Sequence, residues 1–173
     1  MNFDVFGGFE ITKDHHNRGV YGRSFWDAVE ERREGLSRAC GCYVFALRYG
    51  DHTTPIYVGK AERLVFRHEC FSPAKKLLVD RQLDDAPNKR PILYLLPKVT
   101  NSGKLCKPTR REYPAIRFLE NLLIGIAIER NPKLANIKQT KLLREMHVPG
   151  IINSGPGQQT HSVRELQGAF GLP

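Results

Sequence analysis

Cys40-Gly41-Cys42-Tyr43-Val44-Phe45-Ala46-Leu47, followed by Ile56-Tyr57-Val58-Gly59, is the stretch on which the fold turns. Both runs are rich in β-branched and aromatic residues, and the turn-forming pair Gly50-Asp51 lies between them. That pattern predicts two strands joined as an antiparallel hairpin. Tyr43 and Tyr57 then face the same side of the hairpin. Gly59, with no side chain, leaves room for a close approach by Tyr43 or by a ligand.

Working outward, residues 61–70 contain no breaker and place Leu64 and His68 on one face, which predicts a helix packed behind the hairpin. Ser72-Pro73 opens a further helix, with Leu77 and Leu78 turned inward. Pro91-Ile92-Leu93-Tyr94-Leu95-Leu96 reads as a third strand, Pro91 suiting an edge or a strand start. Thr109-Arg110-Arg111-Glu112 has the form of a capping box, and Ile116, Leu119, Leu122, Leu123 and Ile126 follow it at helical spacing until Asn131-Pro132. Towards the N-terminus, Ser24 and Asp27 open a short helix through Trp26 and Val29 that Gly35 closes. A short helix is expected near 139–146, then a loop or arm from Ile151 in which 163–166 can form a last turn. The expected fold is α+β: a small three-stranded, mainly antiparallel sheet flanked by helices. It forms a single domain, with a core at 39–138, an N-terminal extension at 1–38 and a C-terminal helix and arm at 139–173.

Composition restricts the function classes. With 40% hydrophobic and 26% charged residues, the chain buries a core rather than remaining disordered. The 27 Lys and Arg against 18 Asp and Glu leave a net charge of +9, which favours a polyanionic partner. No run approaches the ~20 apolar residues that cross a bilayer, and the first residues lack the basic start and apolar run of a secretory signal. A cytoplasmic protein without a membrane partner is therefore expected. Cys40, Cys42, Cys70 and Cys106 lack zinc-ligand spacing. Glu120 breaks the local rule, a carboxylate between Leu119 and Leu122 beside the apolar stripe of the long helix. An exposed helix glutamate is the ordinary explanation; the edge of a cleft is the functional one.

Gly41-Cys42-Tyr43 and Tyr57-Val58-Gly59 resemble the two signature strands of the GIY-YIG nucleases, with Cys42 and Val58 in place of isoleucines. Lys60, Ala61, Leu64 and Arg67 continue the likeness to the N-terminal nuclease domain of the repair protein UvrC. Leu119-Glu120-Asn121-Leu122 is similar to its glutamate helix, and Asn131-Pro132 with Asn136 to the loop beyond. Each piece alone is weak; four in order, on the expected elements, are specific. The likeness covers about residues 39–138.

The resemblance implies a metal-dependent endonuclease that hydrolyses DNA, one strand per active site. Such chemistry needs charge neutralisation at the phosphate, an activated water and a stabilised leaving oxygen. Glu120 is expected to hold one Mg²⁺ (or Mn²⁺), with water and phosphate oxygens completing its shell. Arg67 is expected to stabilise transition-state charge with its planar fork. Tyr43 is expected to position or deprotonate the water, with Tyr57 beside it and Lys60 lowering the phenol pKa. Gly59 and Asn136 are expected in support, Asn131 and Asn153 being competing choices for the latter. Relatives carry a histidine where this chain has Phe71; His68 stands nearby, as a phosphate contact or as a packed helix residue. Lys104, Lys107, Arg110 and Arg111, and then Lys133, Lys138 and Lys141, form two basic stretches that either track a double-stranded DNA backbone or are merely solvated. A double-strand cut would need a homodimer or two visits. A catalytically silent nucleic-acid-binding module and an RNA-directed nuclease or toxin-like effector are the alternatives. Convergence of Tyr43, Tyr57, Arg67 and Glu120 on one open pocket is the decisive expectation.

Overall fold

The computed structural model describes residues 1–12, 23–110, 113–136, 140–152, 154 and 160–172, with backbone alone at 23 and 141–143. The chain divides into two compact units, Met1–Ala135 and Asn136–Pro173.

The first unit is α+β, built on an antiparallel sheet with helices against it. The hairpin forms as its sequence dictates: β3 (Gly41–Tyr49) and β4 (His52–Ala61) pair antiparallel, with Tyr49 opposite His52 across Gly50-Asp51. Gly50 has φ 54°, the left-handed conformation that glycine adopts without steric penalty. The pairing slips between Phe45 and Ala46, so the β4 strand carries one extra residue there. On the other side of β3 lies β5 (Arg90–Val99).

The sheet has five strands, not three. Two N-terminal segments, β1 (Asn2–Phe3) and β2 (Phe6–Glu10), pair with β5, giving β5 neighbours on both sides. Pro91 thus lies in an interior strand; it is the second residue, and its carbonyl accepts from Ile11 N at 2.9 Å. The strand at 6–10 is hidden in the sequence by Gly7 and Gly8, which read as breakers. Gly7 is needed because the strands approach so closely that a Cβ there would lie 2.8 Å from the Leu93 carbonyl oxygen. Phe6 and Phe9 pack on the core and supply the gain in burial.

Helices cover both faces. Tyr43, Phe45, Leu93 and Leu95 point to one face, where they meet Trp26 and Val29 of α1 (Arg23–Arg32), Phe66 of α2 (Phe66–Glu69) and Val79 of α3 (Pro73–Asp84). Cys42 and Leu96 point to the other, against Ile116, Leu119 and Leu123 of α4 (Pro114–Arg130). Several local expectations shift. The helix predicted over 61–70 is a single turn, with Phe66 buried and both Leu64 and His68 exposed. Leu77 of α3 is exposed and Val79 is the inward residue, while on α4 Leu122 and Ile126 face outward and Ile124 and Ala127 inward. Thr109 lies outside α4, and Arg111 and Glu112 lie outside the described residues. The helix starts with Pro114, whose missing N–H suits a first turn.

In the second unit, α5 (Thr140–Glu145) is preceded by Asn136, whose carbonyl accepts from Thr140 Oγ1 at 2.8 Å. The last helix, α6 (His161–Phe170), is longer than the expected turn. Thr160 caps its start and Gly171, at φ 64°, ends it. Gln167 ties it to the Gly150 carbonyl at 3.0 Å. Among the described residues no helix is long and apolar enough to cross a membrane.

Candidate active site

β4 is the outer strand of the sheet beside β3, and α4 lies across its other face. Residues from both faces therefore reach around this edge. Tyr57, opposite Phe45, shares the face of Tyr43, and the two phenol rings are 6.2 Å apart. Lys60, opposite Cys42, shares the α4 face and forms an ion pair with Glu120. These four side chains line one cavity of about 420 Å³, together with Arg63 and Glu69. Glu120 is neither solvated like an ordinary helix glutamate nor sealed in: its side chain is 12% exposed.

Gly59 is fixed by sterics. It stands opposite Tyr43 in the ladder, and a Cβ there would run into Cζ and the hydroxyl of that ring. Tyr43 is fully buried, and its hydroxyl has no hydrogen-bond partner among the described residues. Burial pushes this phenol above its ordinary pKa, and the neighbouring Cys70, Tyr57, Glu69 and Glu120 push the same way. The expectation that Lys60 lowers it is not met, because the ammonium is engaged by Glu120. Tyr43 is thus held as a neutral O–H, a donor rather than a base. The cation beside a phenol is instead Lys75 of α3, which donates to the Tyr57 hydroxyl and lies 4.2 Å from the centre of that ring.

Two carboxylates that sequence reasoning missed shape the cavity wall. Glu62 is buried; it accepts from Tyr113 N at 2.7 Å and from Arg117 Nε at 3.1 Å. It thereby does from a distance what the expected capping box would have done locally, satisfying a donor at the start of α4. Glu69 is half-buried, and desolvation raises its pKa, reinforced by the Glu120 charge and opposed by Lys75 and Lys60. Glu62 and Glu69 read only as charged positions in a presumed helix, and nothing in the sequence links Lys75 to Tyr57.

Arg67 does not line this cavity. It is exposed in α2 and borders an adjacent groove with His68, Arg38 and Lys107; Arg63 and Leu64 border both hollows. The cation that reaches the cavity from this segment is Arg63. Phe71, at the position where a histidine was a point of comparison, packs edge-on against Phe25 at 5.0 Å and Trp26 at 5.3 Å, so α1 makes this site core.

The remaining predicted residues scatter. Lys104 and Lys107 are exposed on a third hollow that also contains Arg38, and Arg110 is exposed. Lys133 is exposed in the loop after α4. Asn131 organises that loop: its side chain donates to the Pro55 carbonyl at 2.8 Å and accepts from Lys133 N at 3.0 Å. Asn136 belongs to the second unit. Arg111, Lys138, Asn153 and the side chain of Lys141 lie outside the described residues. Cys42 donates to the Ile116 carbonyl at 3.3 Å, and burial pushes its thiol up to about 12, as an inert strand cysteine requires.

Among the described residues no three His, Cys, Asp or Glu side chains gather as a ready metal-ligand set. Glu120 is nevertheless a cavity carboxylate already balancing a cation, which suits a hard divalent ion taking one protein oxygen and completing its shell with water and substrate. Comparison with known proteins finds no matching family model, and no curated protein or solved structure matches the chain.

Proposed function

We propose that the first unit is a phosphodiester hydrolase of the GIY-YIG type, cutting one DNA strand at each active site with Mg²⁺ or Mn²⁺. The observation that carries this reading is the meeting of Tyr43, Tyr57, Lys60 and Glu120, from two strands and a helix, in one cavity. The motif resemblance supplies the reaction; the cavity supplies a place for it.

A scissile phosphate entering the cavity meets Arg63 and Arg117 on its lining. Arg117 is itself braced by Glu62. Tyr43, whose hydroxyl has no partner among the described residues, is placed to donate a hydrogen bond to the phosphate or to the attacking water. Tyr57 accepts from Lys75 and so keeps its own O–H free to orient that water. Glu69, with a proton affinity raised by burial, is the carboxylate suited to receive the water proton. Glu120 would hold the metal ion, which when bound supplies Lewis-acid charge at the phosphate and the leaving oxygen. Lys60, paired with Glu120 here, would have its ammonium available to the phosphate if Glu120 held the ion.

The test is nicking of supercoiled plasmid. The parent protein should nick only with Mg²⁺ or Mn²⁺, and Glu120→Gln should lose at least a hundredfold in rate while still binding DNA. Equal nicking by both proteins removes Glu120 from the chemistry. The closed Lys60–Glu120 pair favours a second reading, a binding module without turnover. That reading predicts salt-sensitive DNA binding and no cleavage with any divalent ion. Structured RNA in place of plasmid separates an RNA-directed enzyme from both.

A further inference from the structure

A second hollow, a groove, lies beside the cavity. Its volume is about 590 Å³. Arg38, Arg63, Arg67 and Lys107 stand exposed around it, and among the described residues no carboxylate lines it. Near this rim, Glu30 lies under the charge of Arg38 but is engaged by the backbone N–H groups of Gly35 and Ser37, and Glu34 is exposed on the third hollow that Arg38 and Lys107 also line. The floor is apolar: Leu64, 49% exposed, with Val65 and Pro108. Arg63 and Leu64 also line the candidate active site, so the two hollows are contiguous. Beyond the far side, Arg38 and Lys107 lead on to a third hollow that includes Lys104 and Arg33.

Permanently charged guanidiniums above an apolar floor suit one kind of chain: alternating phosphates and flat, weakly polar bases. A duplex would present phosphates alone to such a rim and leave Leu64, Val65 and Pro108 facing water. An acidic peptide would meet the cations but has no regular apolar plane for the floor.

We infer that this groove is a binding site for an unpaired nucleotide of the strand next to the cleaved phosphate, with Arg67, Arg38 and Lys107 holding phosphates and Leu64 supporting a base. Arg67 is then a strand-positioning residue, and Arg63 is the hinge between positioning and chemistry. Three segments remote in sequence build the groove: the 3-10 turn at Leu36–Arg38, the passage from β4 into α2, and the loop before α4. This deepens the nuclease reading and rests on it for the nature of the ligand, but its test does not use cleavage.

Binding of a fluorescein-labelled 12-nucleotide single-stranded DNA is followed by anisotropy in EDTA over a series of NaCl concentrations. The probe variant is the triple substitution Arg38→Ala, Arg67→Ala, Lys107→Ala. The control is Arg90→Ala, an exposed cation at the opposite end of β5. The triple variant should bind at least tenfold more weakly, and its slope of log affinity against log salt should shrink by about 2, the loss of three single-strand phosphate contacts. A smaller loss, or one matched by Arg90→Ala, overturns the site. The charge-preserving triple Arg38→Lys, Arg67→Lys, Lys107→Arg should restore the slope, which a merely misfolded variant would not.

Leu64→Ser tests the floor. It should weaken an ordinary strand at least threefold and leave an abasic strand unaffected; equal effects on both, or none, overturn the stacked base. A polyglutamate peptide that competes better than the oligonucleotide also overturns the proposal. Failure of Glu120→Gln to reduce nicking, with these results intact, would remove the catalytic reading and leave the groove standing.

Discussion

The cavity and the groove share Arg63 and Leu64 yet are opposite in construction. In the cavity, charge meets charge within the protein, Lys60 with Glu120 and Arg117 with Glu62, and the Tyr57 hydroxyl accepts from Lys75 beside it. In the groove, cations line up on an apolar floor, with no carboxylate among the described residues that wall it. Internal partners fix geometry at the expense of field, since each neutralises its mate; exposed cations around an apolar floor keep more of their field and are held less rigidly. A site that must place atoms resembles the first, and a surface that must attract a polyanion resembles the second. Substitutions in the cavity should therefore register mainly in stability and in turnover, those in the groove mainly in binding and its salt dependence.

The sharpest challenge to that division is Gly59→Ala. The new methyl has to displace the buried Tyr43 ring, and overpacking of this kind costs about 1–3 kcal/mol. Urea unfolding should show the midpoint falling clearly; an unchanged midpoint would mean that the ring moves freely and that the cavity is not preorganised. Next is Glu62→Ala, which removes the acceptor of Tyr113 N and the brace of Arg117. Loss of a helix-start partner costs about 1 kcal/mol, somewhat more when the donor is left buried. Thermal unfolding should register it as a drop of a few degrees.

Glu69 gives a smaller effect with a definite sign. Its folded-state pKa is raised above the unfolded value, so protonation favours the folded state. The stabilising contribution is complete below the unfolded pKa and is lost as pH rises through the folded one. Glu69→Gln should raise the neutral-pH melting temperature slightly and flatten the curve above the ordinary carboxylate range. A steeper curve would place the charge of Glu69 among favourable partners instead. Smallest of all is Tyr43→Phe. The hydroxyl has no partner among the described residues, so its removal should change stability by less than about 1 kcal/mol. The same substitution should nevertheless reduce nicking at least tenfold if the hydroxyl serves the phosphate. That split between stability and rate is the cleanest mark of a group kept for function.

The sequence made the centre legible and the periphery obscure, for physical reasons. Strands β3, β4 and β5 carry their own signal in runs of β-branched and aromatic residues, and the turn at Gly50-Asp51 sets their pairing. The motif resemblance, with the apolar neighbourhood of Glu120, named four of the residues that line the cavity, Tyr43, Tyr57, Lys60 and Glu120, and missed Glu62, Arg63, Glu69 and Arg117. What failed was anything decided by a distant partner. Phe6-Gly7-Gly8-Phe9-Glu10 has little strand propensity of its own and becomes a strand through β5. Residues 61–65 have no helix breaker, yet they bend, and in doing so they bring Glu62 to the start of α4 and Arg63 to the cavity. Arg67 was placed by motif spacing; with α2 shortened to one turn, it borders the groove instead.

The pairing of Phe6 with Leu95 has an implication for how the protein is made. Phe6 leaves the ribosome long before its partner does, so the opening segment must wait, unpaired, while most of the sheet is synthesised. Contacts of such long range form late and slow the search for the native state. Until the segment docks, β5 presents an open flank to other nascent chains, the kind of edge that seeds association. Expression at lower temperature, or a solubilising fusion that leaves this first strand able to dock, should therefore raise the yield of monodisperse protein.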